Sequence, residues 1–125
     1  MQLNYIANAD VPSASGRTLP VIDPSDGQPF DEIQRSNAAD IDAAVRAARD
    51  CFEGVWHKVS AADRGRLLFK LSQKIAEHVD ELALIEQRDC GKPVKQARAD
   101  AVALVRYFEF YAGACDKLHG ETIPY

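Results

Sequence analysis

The hydrophobic period of this chain changes at Asn37, and no other feature limits its possible folds as strongly. Residues 1–36 are rich in Pro, Gly, Ser and Asp and carry three short β-type runs, Leu3 to Ile6, Leu19 to Ile22 and Phe30 to Gln34. Between the last two runs, Asp23-Pro24-Ser25-Asp26-Gly27 combines the fixed φ of proline with the positive φ open to glycine, so the chain reverses there. Val21–Ile22 and Phe30–Ile33 are therefore expected to pair as a small antiparallel hairpin.

From Asn37 the apolar residues recur every three or four positions, the period of a helix with one buried face. Asn37 can cap a first helix with Asp40 in its first turn; Ile41, Ala44, Val45, Ala48 and Phe52 share one side, and Gly54 stops it. Ser60 followed by Asp63 is a variant of the capping box, opening a second helix that would bury Leu67, Leu68, Leu71 and Ile75. A third helix is expected from about Asp80 to Asp89, with Leu82 and Ile85 inward and Gly91 as its stop. Pro93 then starts a long helix where its missing N–H costs nothing. Its stripe is Val94, Ala97, Ala101, Leu104, Val105, Phe108, Tyr111 and Ala112, and it should end near Lys117. No repeat, low-complexity run or long interior linker divides the chain.

Composition excludes several function classes. Hydrophobic residues make up 46% and charged residues 27%, the balance of a globular protein, and no apolar run approaches the roughly 18 residues of a membrane span. No basic cluster precedes an apolar segment near Met1, so neither a signal nor a transit peptide is expected and the protein is placed in the cytoplasm. The net charge is −4 with Lys and Arg scattered singly, which offers no track for nucleic acid. Cys51, Cys90 and Cys115 are odd in number and lack close C-x-x-C pairing, so they read as reduced thiols. His57, His78 and His119 have no ligand-spaced partner, which argues against a transition-metal site. The seven glycines are isolated, so no glycine-rich phosphate cradle is present. Gly91-Lys92-Pro93 reads as a helix stop, a spacer and a helix start rather than a phosphate site.

Several segments carry a resemblance. Ile22-Asp23-Pro24-Ser25-Asp26-Gly27, the run from Ala39 to Ala48, Ala62-Asp63-Arg64-Gly65-Arg66-Leu67-Leu68, and the stretch from Ala83 to Pro124, with Asp89-Cys90-Gly91-Lys92-Pro93 inside it, stand in the order and spacing of one enzyme family. In them the chain resembles the N-terminal region of an NAD(P)-dependent aldehyde dehydrogenase. The resemblance implies an α/β parent with a Rossmann-type sheet, of which residues 1–125 form a flanking part of the dinucleotide-binding domain. Within it, 1–36 would be strands and turns, 37–119 helices, and 120–125 a tail interrupted where the family continues into its next strand. The fragment itself should be mainly helical with one small antiparallel β-hairpin.

The implied activity is oxidation of an aldehyde to a carboxylic acid with NAD or NADP, in an enzyme whose relatives form homo-oligomers. The family's nucleophilic cysteine, general base and dinucleotide-binding strands lie beyond Tyr125, so no catalytic or cofactor-binding residue is assigned and the isolated chain is expected to be inactive. Two sites carry over by resemblance. One is a structural monovalent-cation site made by the backbone oxygens of Val21 and Ile22 with Asp89; the bland alternative is that Asp89 merely ends the third helix. The other is the wall of the aldehyde channel, at Ala99, Ala103 and Tyr107, for which ordinary core packing is the alternative. The competing function class is a stand-alone helical interaction or assembly module descended from such an enzyme. In either case the apolar helix faces would be covered by a partner or by self-association.

Overall fold

The computed structural model describes residues 1–124. Four strands, β1 (Asn4–Ile6), β2 (Ala9–Val11), β3 (Thr18–Ile22) and β4 (Pro29–Gln34), precede four helices, α1 (Ala38–Glu53), α2 (Ala61–Glu77), α3 (Val79–Cys90) and α4 (Val94–Ala114). One 3-10 turn, Trp56–Lys58, joins α1 to α2. The described residues gather into two compact units, Met1–Lys58 with Arg88–Gly91, and Val59–Gln87 with the residues from Lys92 on. Among the described residues no helix is long and apolar enough to cross a membrane.

In the first unit β3 and β4 form the expected antiparallel hairpin, in register from Thr18↔Gln34 to Val21↔Asp31, with a slip that sets Ile22 opposite Pro29. The reversal is built as the sequence indicates: Gly27 has φ +72° and its N–H donates to Asp23 O at 2.8 Å, while Asp23 N–H donates to Gln28 O at 2.9 Å. A second hairpin, β1 with β2, is an addition to the sequence reading, which expected a lone run at Leu3 to Ile6. Its two-residue loop places Ala7 at φ 53° and Asn8 at φ 65°, the left-handed geometry of a tight hairpin turn. Alanine carries no turn signal there, so the hairpin is invisible to composition; the Tyr5 hydroxyl, 2.5 Å from Asn8 Oδ1, helps hold it.

α1 opens on a full capping box. Asn37 Oδ1 accepts from the N–H groups of Ala39 (2.9 Å) and Asp40 (3.3 Å), and Asp40 Oδ2 accepts from Asn37 N–H at 2.8 Å. Asp40 does more than its sequence position indicates. It also accepts from the Ser13 hydroxyl (2.6 Å) and Ala14 N–H (2.9 Å), tying the loop after β2 to the helix start. The Ser13 hydrogen bond, then those from Ala14 and Asn37, hold the Asp40 carboxyl below its usual 3.8 against the opposing effect of burial.

In the second unit α2 packs along α4 through small residues. Gly65 and Ser72, two turns apart on α2, are buried, as are Ala97 and Ala101 on α4 and Ala83 on α3. α4 begins one residue later than expected: Pro93 is the N-cap, its carbonyl accepting from Gln96 and Ala97, and Val94 is the first helical residue. It ends at Ala114, where a turn closed by Lys117 N–H to Ala114 O (3.0 Å) replaces the expected last helical turn. Gly120 to Pro124 have no regular structure, and Tyr125, the end of the expected tail, lies outside the described residues.

The helix positions agree with the periodicity; the burial of their faces does not. Ile41, Val45 and Phe52 on α1, Leu67 and Leu71 on α2, Ile85 on α3, and Val94, Leu104 and Tyr111 on α4 are all exposed. The physical reason is narrow packing. On α2 and α4 the buried residues are glycine, serine and alanine, which leaves the larger side chains beside them without a covering layer; on α1 only Asp40 is buried.

Candidate functional site

The last turn of α3 lies against the β3–β4 turn, within the first unit. The Arg88 guanidinium sits 4.5 Å from the centroid of the Phe30 ring on β4, and its Nε is 3.8 Å from Asp23 Oδ2. Gly91 closes the approach: it has φ +71°, and a Cβ there would meet Pro24 Cγ at 3.0 Å. Val21 and Ile22 end β3 just before Asp23, and exposed Asp89 lies between Arg88 and Gly91. Of the three residues of the expected cation site, Val21 and Ile22 thus precede the contacts of this junction on one side and Asp89 lies between two residues that make them on the other. That site's donor set, two backbone carbonyls and one carboxylate at the negative end of a helix dipole, is hard oxygen chemistry that fits an alkali cation. Arg88 did not figure in the sequence reading and Phe30 figured only as a hairpin residue; a guanidinium over a ring has no signature in linear spacing.

Asp23 is locked by its own turn. Its Oδ1 accepts from the N–H (2.9 Å) and hydroxyl (2.6 Å) of Ser25, and these bonds, with the nearby Arg88 charge, keep its carboxyl below the usual 3.8. Among the described residues no group of three or more His, Cys, Asp or Glu side chains is arranged to hold a metal ion.

Lys92 is likewise spoken for, in the second unit. Its Nζ donates to Asp100 Oδ2 at 2.8 Å and to Glu86, and these two carboxylates, Asp100 first, raise its pKa above the ordinary lysine value. A lysine matched by two carboxylates has little charge left for a phosphate, so Gly91-Lys92-Pro93 serves the chain's path as expected. The second ion pair across this region joins Arg98 to Asp80 at 2.8 Å.

Ala99, Ala103 and Tyr107 stand four residues apart on α4, offset by two from the buried Ala97 and Ala101, which puts them on the side turned away from that seam. Ala99 is exposed, Ala103 half-buried and Tyr107 63% exposed. Phe110 and Tyr111 meet edge to face with centroids 5.3 Å apart, yet are 69% and 59% exposed, so of the two aromatic residues on the expected stripe Tyr111 is open and Phe108 half-buried. An open groove of about 610 Å³ between α2 and α4, lined by Arg66, Phe69, Lys70 and Glu109 among others, includes none of the three channel positions.

Cys51 is exposed on α1, Cys90 is the last residue of α3, and Cys115 follows α4 with its thiol against Tyr111 O at 3.2 Å. The three thiols lie in different elements.

Comparison with known proteins gives one answer. A sequence model of the aldehyde dehydrogenase family matches residues 11–125. The mitochondrial aldehyde dehydrogenase family 2 member B4 of Arabidopsis thaliana is 44% identical over 116 residues, covering 91% of this chain and 22% of that protein. Retinal dehydrogenase 2 of Homo sapiens is 42% identical over 123 residues, covering 96% of this chain and 24% of its own length. Among solved structures, a candidate aldehyde dehydrogenase from Burkholderia cenocepacia superposes with a TM-score of 0.93 at 60% identity, over 98% of this chain and 26% of that one. The NAD-dependent aldehyde dehydrogenase of Sinorhizobium meliloti superposes at 0.90 with 34% identity, over 96% and 24%. The chain thus spans about a quarter of the length of the relatives it matches. The mainly helical arrangement with small antiparallel strand pairs is a portion of the Rossmann-type α/β fold of those relatives, and the chain belongs to the aldehyde dehydrogenase family.

Proposed function

We propose that this chain is the N-terminal segment of an enzyme that oxidises an aldehyde to a carboxylic acid with NAD or NADP. The observation that carries the reading is the family match over 11–125 together with superposition on dehydrogenase structures over nearly the whole chain. Related structures include a betaine aldehyde dehydrogenase of Staphylococcus aureus solved with NAD+, which supports the choice of cofactor. In the reaction, aldehyde, water and NAD(P)+ give carboxylic acid, NAD(P)H and a proton. The nicotinamide, when bound, accepts the hydride. This segment's own contribution is steric and structural: Ala99, Ala103 and Tyr107 line the aldehyde's approach, and Val21, Ile22 and Asp89 hold a monovalent cation that ties the β3–β4 turn to α3.

The open apolar faces of α1 and α4 support burial against the remainder of such an enzyme, or self-association as a homo-oligomer. Aldehyde is the ligand in this reading, with neither nucleic acid nor membrane as partner. A reducing compartment, the cytoplasm, suits a chain with three widely spaced cysteines.

Absorbance at 340 nm tests the reading directly. The purified 125-residue chain should form no NAD(P)H from short aldehydes, whereas a protein carrying this segment at the head of a dehydrogenase body should. Turnover by the segment alone would overturn the assignment of catalysis to residues outside it.

A further inference from the structure

The β3–β4 ladder continues one pair beyond Thr18↔Gln34, to Arg17 opposite Arg35, with Arg35 N–H donating to Arg17 O at 2.8 Å. The returning bond is relayed by a side chain. Arg17 N–H donates to Ser15 Oγ at 3.1 Å, and the Ser15 hydroxyl donates to Arg35 O at 2.6 Å. Ser15 is itself held, its N–H donating to Ser13 Oγ at 3.1 Å. Residues directly opposite on an antiparallel ladder share a face, with Cβ atoms about 5 Å apart, where like charges repel. The two arginines stand far apart in sequence, so only the hairpin brings them together.

Among the described residues nothing offsets that repulsion. Arg46, Arg49, Arg66, Arg88, Arg98 and Arg106 each lie 2.5–3.8 Å from a carboxylate oxygen. The exposed side chains of Arg17 and Arg35 have no ion pair or hydrogen bond among the described residues. Asp40, the acid that reaches this loop, is filled: Oδ1 accepts from Ala14 N–H, and Oδ2 from the Ser13 hydroxyl and Asn37 N–H.

We propose that Arg17 and Arg35 form a binding site for a phosphate-type oxyanion, taken as the free ion or as the phosphate group of a small phosphomonoester. The inference is independent of the catalytic reading above. Two guanidinium forks offer permanently charged N–H pairs to the oxygens of one group, the geometry in which arginine differs from lysine. A dianion neutralises both charges, whereas a single carboxylate leaves one unmatched. The Ser15 relay fixes the backbone of both strands, so the anion has two side chains to order and no loop.

The test uses the whole protein that contains this segment, at low ionic strength and mildly alkaline pH, where screening is weak and phosphate is a dianion. Inorganic phosphate and glycerol phosphate are titrated by calorimetry and thermal melting against sodium chloride at matched ionic strength. Phosphate should bind and raise the melting temperature where chloride does not. Arg17→Gln and Arg35→Gln should each weaken binding by about tenfold, the worth of one charge-assisted hydrogen bond, and the double variant should abolish it. Arg17→Lys should lose less, since it keeps the charge without the fork. Without phosphate, each glutamine variant should melt as high as the parent protein or higher, because it relieves the repulsion; in phosphate the order should reverse. Tighter binding of the ester than of phosphate names the ester as ligand, and equal or weaker binding names the free ion. A melting temperature lowered in both conditions would make the arginines structural and overturn the proposal. Binding that the double variant retains also overturns it, and so does absence of binding to the parent protein, which would assign the pair to a carboxylate outside residues 1–125.

Discussion

A Cβ placed on Gly65 would stand 2.5 Å from the carbonyl oxygen of Ala112, closer than any real methyl group approaches a backbone oxygen. α2 and α4 touch backbone to backbone there, and the missing side chain is what permits it. Gly65→Ala should therefore destabilise the protein by about 1–3 kcal/mol, the usual cost of overpacking, although alanine is the better helix former. Thermal or urea unfolding measures this; an unchanged or raised midpoint would mean the helices separate freely at this point.

Ala7 presents the opposite sign. It holds a left-handed conformation, φ 53°, that costs an L-residue roughly 1–2 kcal/mol and glycine almost nothing. Ala7→Gly is expected to raise stability by up to about 1 kcal/mol once glycine's extra unfolded-state entropy is deducted. Urea denaturation of the pair of proteins would show it as a higher midpoint at the same slope.

At the start of α1, Asn37→Ala removes the acceptor for Ala39 and Asp40 N–H and should cost about 1 kcal/mol. Serine at the same position should recover most of the loss. If alanine and serine melt alike, the cap is not contributing.

Acid unfolding should carry the mark of Asp40. Its folded-state pKa is depressed below 3.8, so its contribution to stability is fully present above that unfolded value and is lost as pH falls through the lower folded value. Asp40→Asn, which cannot ionise, should be less stable at neutral pH and show a flatter decline below about pH 4. Equal slopes in the two proteins would assign the acid transition to other carboxylates, of which Asp23 and Asp100 are also depressed.

The channel proposal makes a kinetic prediction. In the whole enzyme Ala103→Phe should raise KM for bulky aldehydes by about tenfold or more while leaving acetaldehyde turnover nearly unchanged, because a pocket discriminates by the methylenes it has room for. A uniform loss with all aldehydes would instead indicate disturbed packing of α4.

Local signals served this chain well where the physics is local. Asn37 with Asp40, Ser60 with Asp63, Gly27 in its turn and Pro93 at its helix start all act within a few residues, and each element boundary they marked lies within about a turn of the observed one. The β1–β2 hairpin escaped notice because Ala7 violates the residue preference of its turn. The candidate sites divide in the same way. Ala99, Ala103 and Tyr107 share a helix, so their common side follows from spacing alone, whereas the meeting of the end of α3 with the β3–β4 turn depends on Arg88 and Gly91 reaching residues more than fifty positions away.

The amino-acid order by itself determined where helices start, which residues share a face, and, through its likeness, which family the chain belongs to. Those properties follow from backbone sterics and from hydrogen bonds between near neighbours. Tertiary structure alone decided that Gly65 of α2 meets the Ala112 carbonyl of α4, that Ala97 and Ala101 are buried while Leu104 is exposed, that Asp40 gathers Ser13 and Ala14 as well as its own cap, and that Arg88 sides with Asp23. An apolar period states which side of a helix is oily; only packing determines which part of that side meets another backbone and which part stays open.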